Sequence, residues 1–161
     1  MTMDTKKKAT VLALATALAA PLEGLRQVAY YDPPGILTVC YGSTTEVVKG
    51  KKYSLDECKA RLDDDMLKAI EIVEKCTSHI TLTTNQYVAL SDMVYNLGPK
   101  PVCDTNKSTM ARHIKSGNMV AACNEIYKWD KAVVGGSLVA LPGLTKRRAL
   151  EQNLCLNPDV L

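Results

Sequence analysis

Three side chains near the start of the chain have types and spacing that suit hydrolysis of a glycosidic bond. Glu23 is followed by Asp32 nine positions later and by Thr38 six positions after that, around the turn Pro33-Pro34-Gly35. In such a reaction one carboxyl protonates the leaving oxygen while another group orders the attacking water. In the alternative interpretation these residues have structural roles only. Glu23 and Asp32 would be solvated surface acids, with Asp32 capping the turn, and Thr38 would be an ordinary strand residue.

The composition describes one ordinary globular domain. The 161 residues are 47% hydrophobic and 23% charged, and the net charge is +3. A chain of this length buries roughly 70% of the surface that it exposes when unfolded, so no second domain is needed. The positive charge is mild and forms no stripe with interleaved aromatics, so we expect no nucleic acid partner. His79 and His113 stand alone, so we expect no metal and no cofactor.

Six cysteines are spread along the chain without any C-x-x-C pair, which argues against zinc ribbons and thioredoxin-type sites. Disulfides formed in an oxidising compartment fit better. Six cysteines allow 15 pairings, and the residues alone do not choose among them. The candidates are Cys40, Cys58, Cys76, Cys103, Cys123 and Cys155.

The N-terminus is typical of an exported protein. Lys6-Lys7-Lys8 precedes an uncharged, Ala-rich run over residues 9–22, which is shorter than the ~20 residues that span a bilayer comfortably. Ala17-Leu18-Ala19 fits the pattern read by signal peptidase, so an ordinary cleaved signal peptide is one interpretation. In the other, an apolar helical stripe packs on a soluble domain, formed by Val11, Leu14, Leu18, Leu22 and Leu25.

Downstream, the spacing of apolar residues predicts helices. Ser54 and Glu57 form a capping box for a long amphipathic helix that ends at Cys76. A second helix begins near Thr83 and stops at Gly98-Pro99. Shorter helices are predicted from Ser108 to Ser116, from Met119 to Trp129 behind an Asn118 cap, and from a Thr145 cap to Cys155.

The pattern changes between Tyr30 and Tyr53, where turn residues separate short runs of β-branched and aromatic residues. A small β-hairpin region that carries Asp32 and Thr38 is therefore predicted. The fold class is α+β, predominantly α-helical. The segment from Lys131 to Gly143 contains paired glycines and is predicted to be a mobile loop.

The residues around Glu23 leave its helical geometry open. Pro21 is a good first residue of a helix, which would place Glu23 near the positive end of the helix dipole, where an ionised carboxyl is favoured. If a helix instead ends near Glu23, with Gly24 as its terminating residue, the dipole favours the protonated acid that the chemistry needs.

Together these residues resemble the phage-type lysozymes of glycoside hydrolase family 24. The family signature is Glu, eight residues, Asp or Cys, five residues, Thr, and this chain matches it position for position. The chain is also similar to lambdoid signal-anchor-release (SAR) endolysins in its basic start, its weak Ala-rich anchor and four of its cysteines. The agreement extends over nearly the whole chain, at Tyr31-Asp32, Gly35, Thr38-Val39-Cys40-Tyr41-Gly42, Val94-Tyr95-Asn96-Leu97-Gly98 and Gly143-Leu144-Thr145-Lys146-Arg147-Arg148.

The resemblance implies a lysozyme-like fold and a muramidase that cleaves the β-1,4 bond between N-acetylmuramic acid and N-acetylglucosamine in peptidoglycan. Glu23 would be the general acid, and Asp32 and Thr38 would position the water, giving inversion if the two carboxyls lie about 6.5 to 9.5 Å apart. Substrate contacts are expected at Tyr31, Tyr41, Asn96 and Arg147. A structural role is at least as well supported for Arg147, and a core role for the tyrosines.

The resemblance also implies how the enzyme is controlled. Residues 1–22 would be a SAR segment that tethers an inactive enzyme to the bacterial inner membrane through residues 9–22. Residues 23–161 would be the catalytic domain, tethered in the periplasm and then soluble there after release as a monomer. Pairs Cys40 with Cys58 and Cys123 with Cys155 are implied, which leaves Cys76 and Cys103. Residues 1–22 contain no cysteine, so a thiol switch within the anchor is impossible.

Three alternatives remain open from the sequence. A lytic transglycosylase would use one acid and no water, and the presence of Asp32 and Thr38 argues against it. A membrane-tethered, non-enzymatic cell-wall binding protein would tolerate loss of Glu23. A secreted disulfide-rich interaction domain would show no wall cleavage.

Overall fold

The computed structural model describes residues 3–157 and is mainly helical, with two small antiparallel hairpins. This agrees with the predicted α+β class. The helices and strands in this part of the chain are α1 (Thr5–Glu23), β1 (Arg26–Tyr31), β2 (Leu37–Cys40), α2 (Leu55–Cys76), α3 (Thr84–Leu97), α4 (Lys100–Cys103), α5 (Thr109–Lys115), α6 (Met119–Cys123), β3 (Lys131–Val134), β4 (Ser137–Ala140) and α7 (Pro142–Leu156), with a 3-10 turn at Ile126–Lys128.

Helix α1 resolves the geometry at Glu23. Asp4 caps its start by accepting the N–H of Lys7 at 2.8 Å. The helix ends at Glu23, and Gly24 follows with φ 73°, a conformation that glycine adopts at little cost. Pro21 lies inside the last turn rather than at a helix start. Glu23 is therefore at the negative end of the helix dipole.

The fully buried positions of α1 are compact residues. Val11, Ala15 and Ala19 are each 0% exposed. The apolar stripe expected from the spacing is partly correct, because Val11 is buried and Leu18 packs against the core, whereas Leu14 is 46% exposed. The helix packs on the domain against α2 and α3. Short side chains allow two helix backbones to approach closely, so alanines suit this contact better than leucines.

Helix α3 is the central helix of the domain and packs against α1, α2 and α7. It begins near Thr83, as predicted, and a capping box lies there: Thr83 accepts from the Gln86 N–H and the Gln86 side chain accepts from the Thr83 N–H. At α2, Ser54 caps the Glu57 N–H as predicted. The Glu57 carboxylate instead lies 3.0 Å from the ammonium of Lys51, so this end has half of the predicted box.

The predicted hairpin near the start is present as β1 and β2, which pair Tyr30 with Thr38 and Tyr31 with Leu37. The mobile loop predicted after Lys131 is wrong, because β3 and β4 form a second hairpin there. Gly135 and Gly136 connect its strands, with φ 57° and 82°. Two residues with positive φ make the tight turn that matches the twist of a hairpin.

Two helix boundaries differ from the prediction. The helix expected from Met119 to Trp129 stops at Cys123 and is followed by a 3-10 turn. Helix α7 begins at Pro142 rather than after Thr145, because proline is well suited to the first helical position. Thr145 lies in the first turn and donates its hydroxyl hydrogen to Asp130 at 2.7 Å.

Three disulfides join neighbouring parts of the fold, and their pairing is the one expected. Cys40 with Cys58 ties the first hairpin to α2, Cys76 with Cys103 ties α2 to α4, and Cys123 with Cys155 ties α6 to α7. Within residues 3–157, no helix has both the length and the apolar character needed to cross a membrane.

The close contact of α1 predicts different responses at two of its alanines. Ala15→Leu overfills the contact with the domain, so we expect the free energy of unfolding to fall by about 1 to 3 kcal/mol. Ala17 is exposed, so Ala17→Leu is the matched control and changes stability by less than about 0.5 kcal/mol. Urea unfolding followed by circular dichroism measures both, and equal effects would contradict the packed face described here.

Candidate active site

A cleft of about 330 Å³ lies at the end of α1, between the loop after β2 on one side and α2 and α3 on the other. Glu23 reaches it from the last position of α1. Polar and aromatic side chains from each element surround the carboxyl. The lining includes Tyr41, Gly42, Asp65, Lys68, Tyr95 and Asn96.

The Glu23 carboxyl is held from two sides. Its Oε1 accepts a hydrogen bond from Arg147 Nη1 at 2.6 Å. A Cβ placed on Gly42 would lie 3.7 Å from Oε2, and Gly42 has φ +95°. The loop after β2 therefore passes close to the carboxyl at a position whose backbone conformation favours glycine. The Glu23 side chain is only 20% exposed.

Arg147 joins Glu23 to a second carboxylate, Asp92 on α3. Arg147 Nε donates to Asp92 Oδ2 at 2.9 Å and Nη2 donates to Oδ1 at 2.8 Å, so the pair is bidentate. Both side chains are buried. Burial acts to lower the pKa of Arg147, but the hydrogen bonds and charges of Asp92 and Glu23 outweigh it and raise that pKa above its ordinary value. One permanent cation is thus shared by two acids.

The neighbouring Arg148 organises a different set of groups. It is buried, and it donates to Glu151 Oε1 at 2.7 Å, to Asn96 Oδ1 at 2.9 Å and to the Trp129 carbonyl at 3.3 Å. Burial raises the pKa of Glu151 to about 8, against the opposing charge of Arg148. Among residues 3–157, Glu151 Oε2 is buried without a hydrogen-bond partner, which agrees with a carboxyl that is poorly solvated.

A tyrosine fixes the backbone of the loop beside Glu23. The Tyr95 hydroxyl donates to the Tyr41 carbonyl at 2.6 Å. Burial and the nearby charge of Glu23 raise the pKa of Tyr95 above its ordinary value, so the phenol keeps its proton and remains a donor. The expected substrate residues Tyr41 and Asn96 thus line the same cleft as Glu23.

The other expected site residues lie outside the lining of this cleft. Asp32 follows β1 and caps the turn, since its Oδ1 accepts the Ile36 N–H at 2.7 Å. Thr38 is nearly buried in β2 and donates its hydroxyl hydrogen to the Ile36 carbonyl at 2.9 Å. Tyr31 is 58% exposed, and the Lys49 ammonium lies 5.3 Å from the centre of its ring. Arg147 is buried and contacts Glu23 and Asp92 rather than the open cleft.

Sequence reasoning missed Asp92, Asp65 and Lys68. A signal for Asp92 was available, because it is the single charged residue of α3 and lies among buried apolar neighbours. A buried acid needs a cation, and the Arg147-Arg148 pair was already prominent. Asp65 and Lys68 lie on α2, where an exposed position and one facing a cleft look alike. Burial raises the pKa of Asp65, against the charge of Lys68.

Comparisons with known proteins agree with this geometry. The sequence matches the Phage lysozyme family over residues 20–151. The SAR-endolysin of Pseudomonas phage phiKMV is 32% identical over 157 residues, which cover 98% of this chain and 95% of the relative. The SAR-endolysin of bacteriophage PS119 is 38% identical over 137 residues, which cover 84% of this chain and 77% of the relative.

A solved structure has a similar fold. The muramidase domain of SpmX from Asticaccaulis excentricus superposes with a TM-score of 0.80 and 30% sequence identity, covering 89% of this chain and 95% of that domain. The residues that match the Phage lysozyme family include the Glu23 end of α1, the whole of α3 and the two arginines of α7. The chain therefore belongs to the phage lysozyme family and is a glycoside hydrolase of the lysozyme type.

Proposed function

We propose that this protein is an endolysin that acts in the periplasm as a muramidase, cleaving the β-1,4 bond between N-acetylmuramic acid and N-acetylglucosamine in peptidoglycan. The observation that carries the proposal is the position of Glu23 at the end of α1, inside the cleft and in contact with Arg147. The names of the relatives, SAR-endolysin and muramidase domain, support the same activity and compartment.

Glu23 acts as the general acid and transfers its proton to the glycosidic oxygen. The helix end disfavours a negative charge at this position. Asp92 already balances the positive charge of Arg147, so Arg147 still has an anionic partner when Glu23 is protonated. Once the proton has been transferred, Arg147 Nη1 stabilises the carboxylate that forms, from 2.6 Å.

Asp32 and Thr38 hold the attacking water on the opposite face of the sugar. The Thr38 hydroxyl hydrogen is already donated to the Ile36 carbonyl, so its oxygen offers an acceptor to water. Asp32 Oδ1 is engaged by the Ile36 N–H, and Oδ2 provides a second acceptor. Two acceptors orient both hydrogens of one water and direct its lone pair at the anomeric carbon. Asp32 takes the proton that the water loses, and the configuration inverts.

Release of the N-terminal segment from the inner membrane controls the activity. In the folded enzyme α1 provides both Glu23 and the packed face at Val11, Ala15 and Ala19. A chain whose residues 9–22 lie in a bilayer has neither in place. The segment is a weak anchor because alanine contributes less to insertion than leucine does.

Glu23→Gln removes the transferable proton and keeps the size of the side chain. We expect peptidoglycan cleavage to fall on the order of 10²- to 10⁴-fold, and reducing muramic acid ends to disappear from the products by mass spectrometry. Glu71→Gln, at an exposed position on α2, is the control and keeps full activity. Anhydro sugar ends would show a transglycosylase, and full activity of the Glu23 variant would exclude this acid.

Asp92→Asn leaves Arg147 with Glu23 as its single anionic contact in the site. We expect the free energy of unfolding to fall by about 3 kcal/mol, because a buried ion pair loses one partner. We also expect wall cleavage by the folded protein to fall, because Arg147 loses the bidentate contact that fixes its guanidinium beside Glu23.

Urea unfolding and cleavage of purified peptidoglycan measure the two effects of Asp92→Asn. Ser91→Ala is the control, because Ser91 is buried beside Asp92 and its hydroxyl has no hydrogen-bond partner within residues 3–157. Unchanged cleavage by the folded Asp92 variant would mean that Asp92 only stabilises the fold.

A stronger anchor should delay lysis without harming the enzyme. Ala9, Ala13 and Ala17 lie on the exposed face of α1, so the triple change to Leu favours the bilayer while sparing the packed face. We expect more membrane-bound protein on fractionation and later lysis of cells, with normal wall cleavage by the purified protein. The triple change to Ser is the matched control. Unchanged timing and fractionation in the leucine variant would contradict control by release.

A further inference from the structure

The β3–β4 hairpin exposes a cluster of large apolar side chains. Val133 is 72% exposed, Leu138 67%, Val134 52% and Val139 42%. Large contiguous apolar patches are uncommon on monomeric soluble proteins, and those that occur commonly mark interaction sites. None of these four residues lines the cleft around Glu23, so catalysis as described above leaves the hairpin unexplained.

Apolar side chains lie on both faces of this hairpin. Val133 pairs with Leu138, and Ala132 pairs with Val139. Cross-strand partners share a face and successive pairs alternate, so the first pair lies on one face and the second on the other. A second protein copy or a glycan strand would cover one face. An apolar medium that surrounds the hairpin tip, meaning Val133, Val134, Leu138 and Val139, covers both faces.

Lysines surround the base of the hairpin. A cavity of about 380 Å³ is lined by Lys100, Lys107, Lys128 and Lys131 together with Trp129 and Leu138. Lys128 pairs with Glu125, and Lys131 with Asp130. Lys100 and Lys107 make no ion pair within residues 3–157, so the base carries free positive charge below the apolar tip.

We propose that the β3–β4 hairpin docks the enzyme on the surface of an anionic phospholipid bilayer. The valines and the leucine enter the boundary between headgroups and acyl chains, as an interfacial segment does. Lys100 and Lys107 meet lipid phosphates, which attract basic residues near the surface. Trp129 lies at headgroup depth, where its apolar ring and its N–H are both accommodated. This docking is separate from insertion of α1.

Trp129 provides a direct signal, because it is the single tryptophan of the chain and lines the cavity at the hairpin base. The full-length released protein is titrated with phosphatidylcholine vesicles that contain phosphatidylglycerol, and then with pure phosphatidylcholine vesicles. We expect a blue shift of its emission and quenching by brominated acyl chains, both stronger with the anionic vesicles. Binding through α1 alone would leave the Trp129 emission unchanged and would overturn the proposal.

The variant Val133→Ser/Leu138→Ser tests the apolar tip. We expect its vesicle partition coefficient to fall on the order of tenfold. Val120→Ser is the matched control, since Val120 is 66% exposed on α6 and lies outside the hairpin. Lys100→Gln/Lys107→Gln should weaken binding to the anionic vesicles and leave the weak binding to neutral vesicles unchanged.

Two further results would overturn the proposal. If the tip variant binds vesicles like the wild type but cleaves purified peptidoglycan more slowly, the hairpin contacts the wall. If the wild type forms dimers in light scattering, and the tip variant loses the dimers without any change in vesicle binding, a second copy covers the hairpin. Neither result depends on whether Glu23 is the general acid, because partitioning is measured without substrate.

Discussion

The contact on which the site depends is the guanidinium of Arg147 shared between Glu23 and Asp92. It connects the end of α1, the central helix α3 and the first turns of α7 through three hydrogen bonds of 2.6 to 2.9 Å. Burying a single charge in a protein core is very unfavourable, whereas a bidentate pair satisfies both partners. Asp92 therefore fixes Arg147, and Arg147 in turn fixes the carboxyl in the cleft. The second arginine, Arg148, holds the side chain of Asn96, which is also on α3 and lines the cleft.

Helix α1 has to satisfy two demands that normally conflict. In the folded enzyme its inner face must be small enough for close contact with the domain, and Ala15 and Ala19 meet that requirement. In the proposed tethered state the same helix must remain in a bilayer only weakly. A leucine-rich stripe would bind the membrane more firmly, and bulky side chains would hold the helices further apart. Alanine is compatible with both states because it is weakly hydrophobic and compact.

Much of the fold could be predicted from the residues. The capping residue Ser54, the start near Thr83 and the stop at Gly98 located α2 and α3, since these signals are local. Three of the predictions that failed in whole or in part have a common cause. The apolar stripe of α1, the Thr145 cap and the loop after Lys131 were inferred from one signal each, whereas packing or a competing local preference decided the outcome. Val-Val-Gly-Gly-Ser-Leu-Val is typical of a hairpin, and the paired glycines were interpreted only as a flexible loop.

The site was harder to predict than the fold. Glu23 was chosen as the candidate acid from its spacing to two other groups, but its contact with Arg147 joins residues 124 positions apart. No periodicity carries information over that separation. Asp32 and Thr38 illustrate the same limit, because the structure gives both of them local hydrogen bonds around Ile36. These bonds serve the turn and are also compatible with the proposed water site.

The three disulfides have a consequence for the order in which the enzyme is assembled. All six cysteines lie at or after Cys40, and the bonded segments run from Cys40 to Cys58, Cys76 to Cys103 and Cys123 to Cys155. Cross-links restrict the unfolded freedom of the segments they close, so this part of the chain is preorganised. Helix α1 lies outside every closed loop and joins the remainder through non-covalent packing. The cross-linked part is therefore preorganised to bind α1 much as a receptor binds a ligand. Because α1 is covalently attached to it and ends at Glu23, docking of the helix also places the Glu23 carboxyl in the cleft.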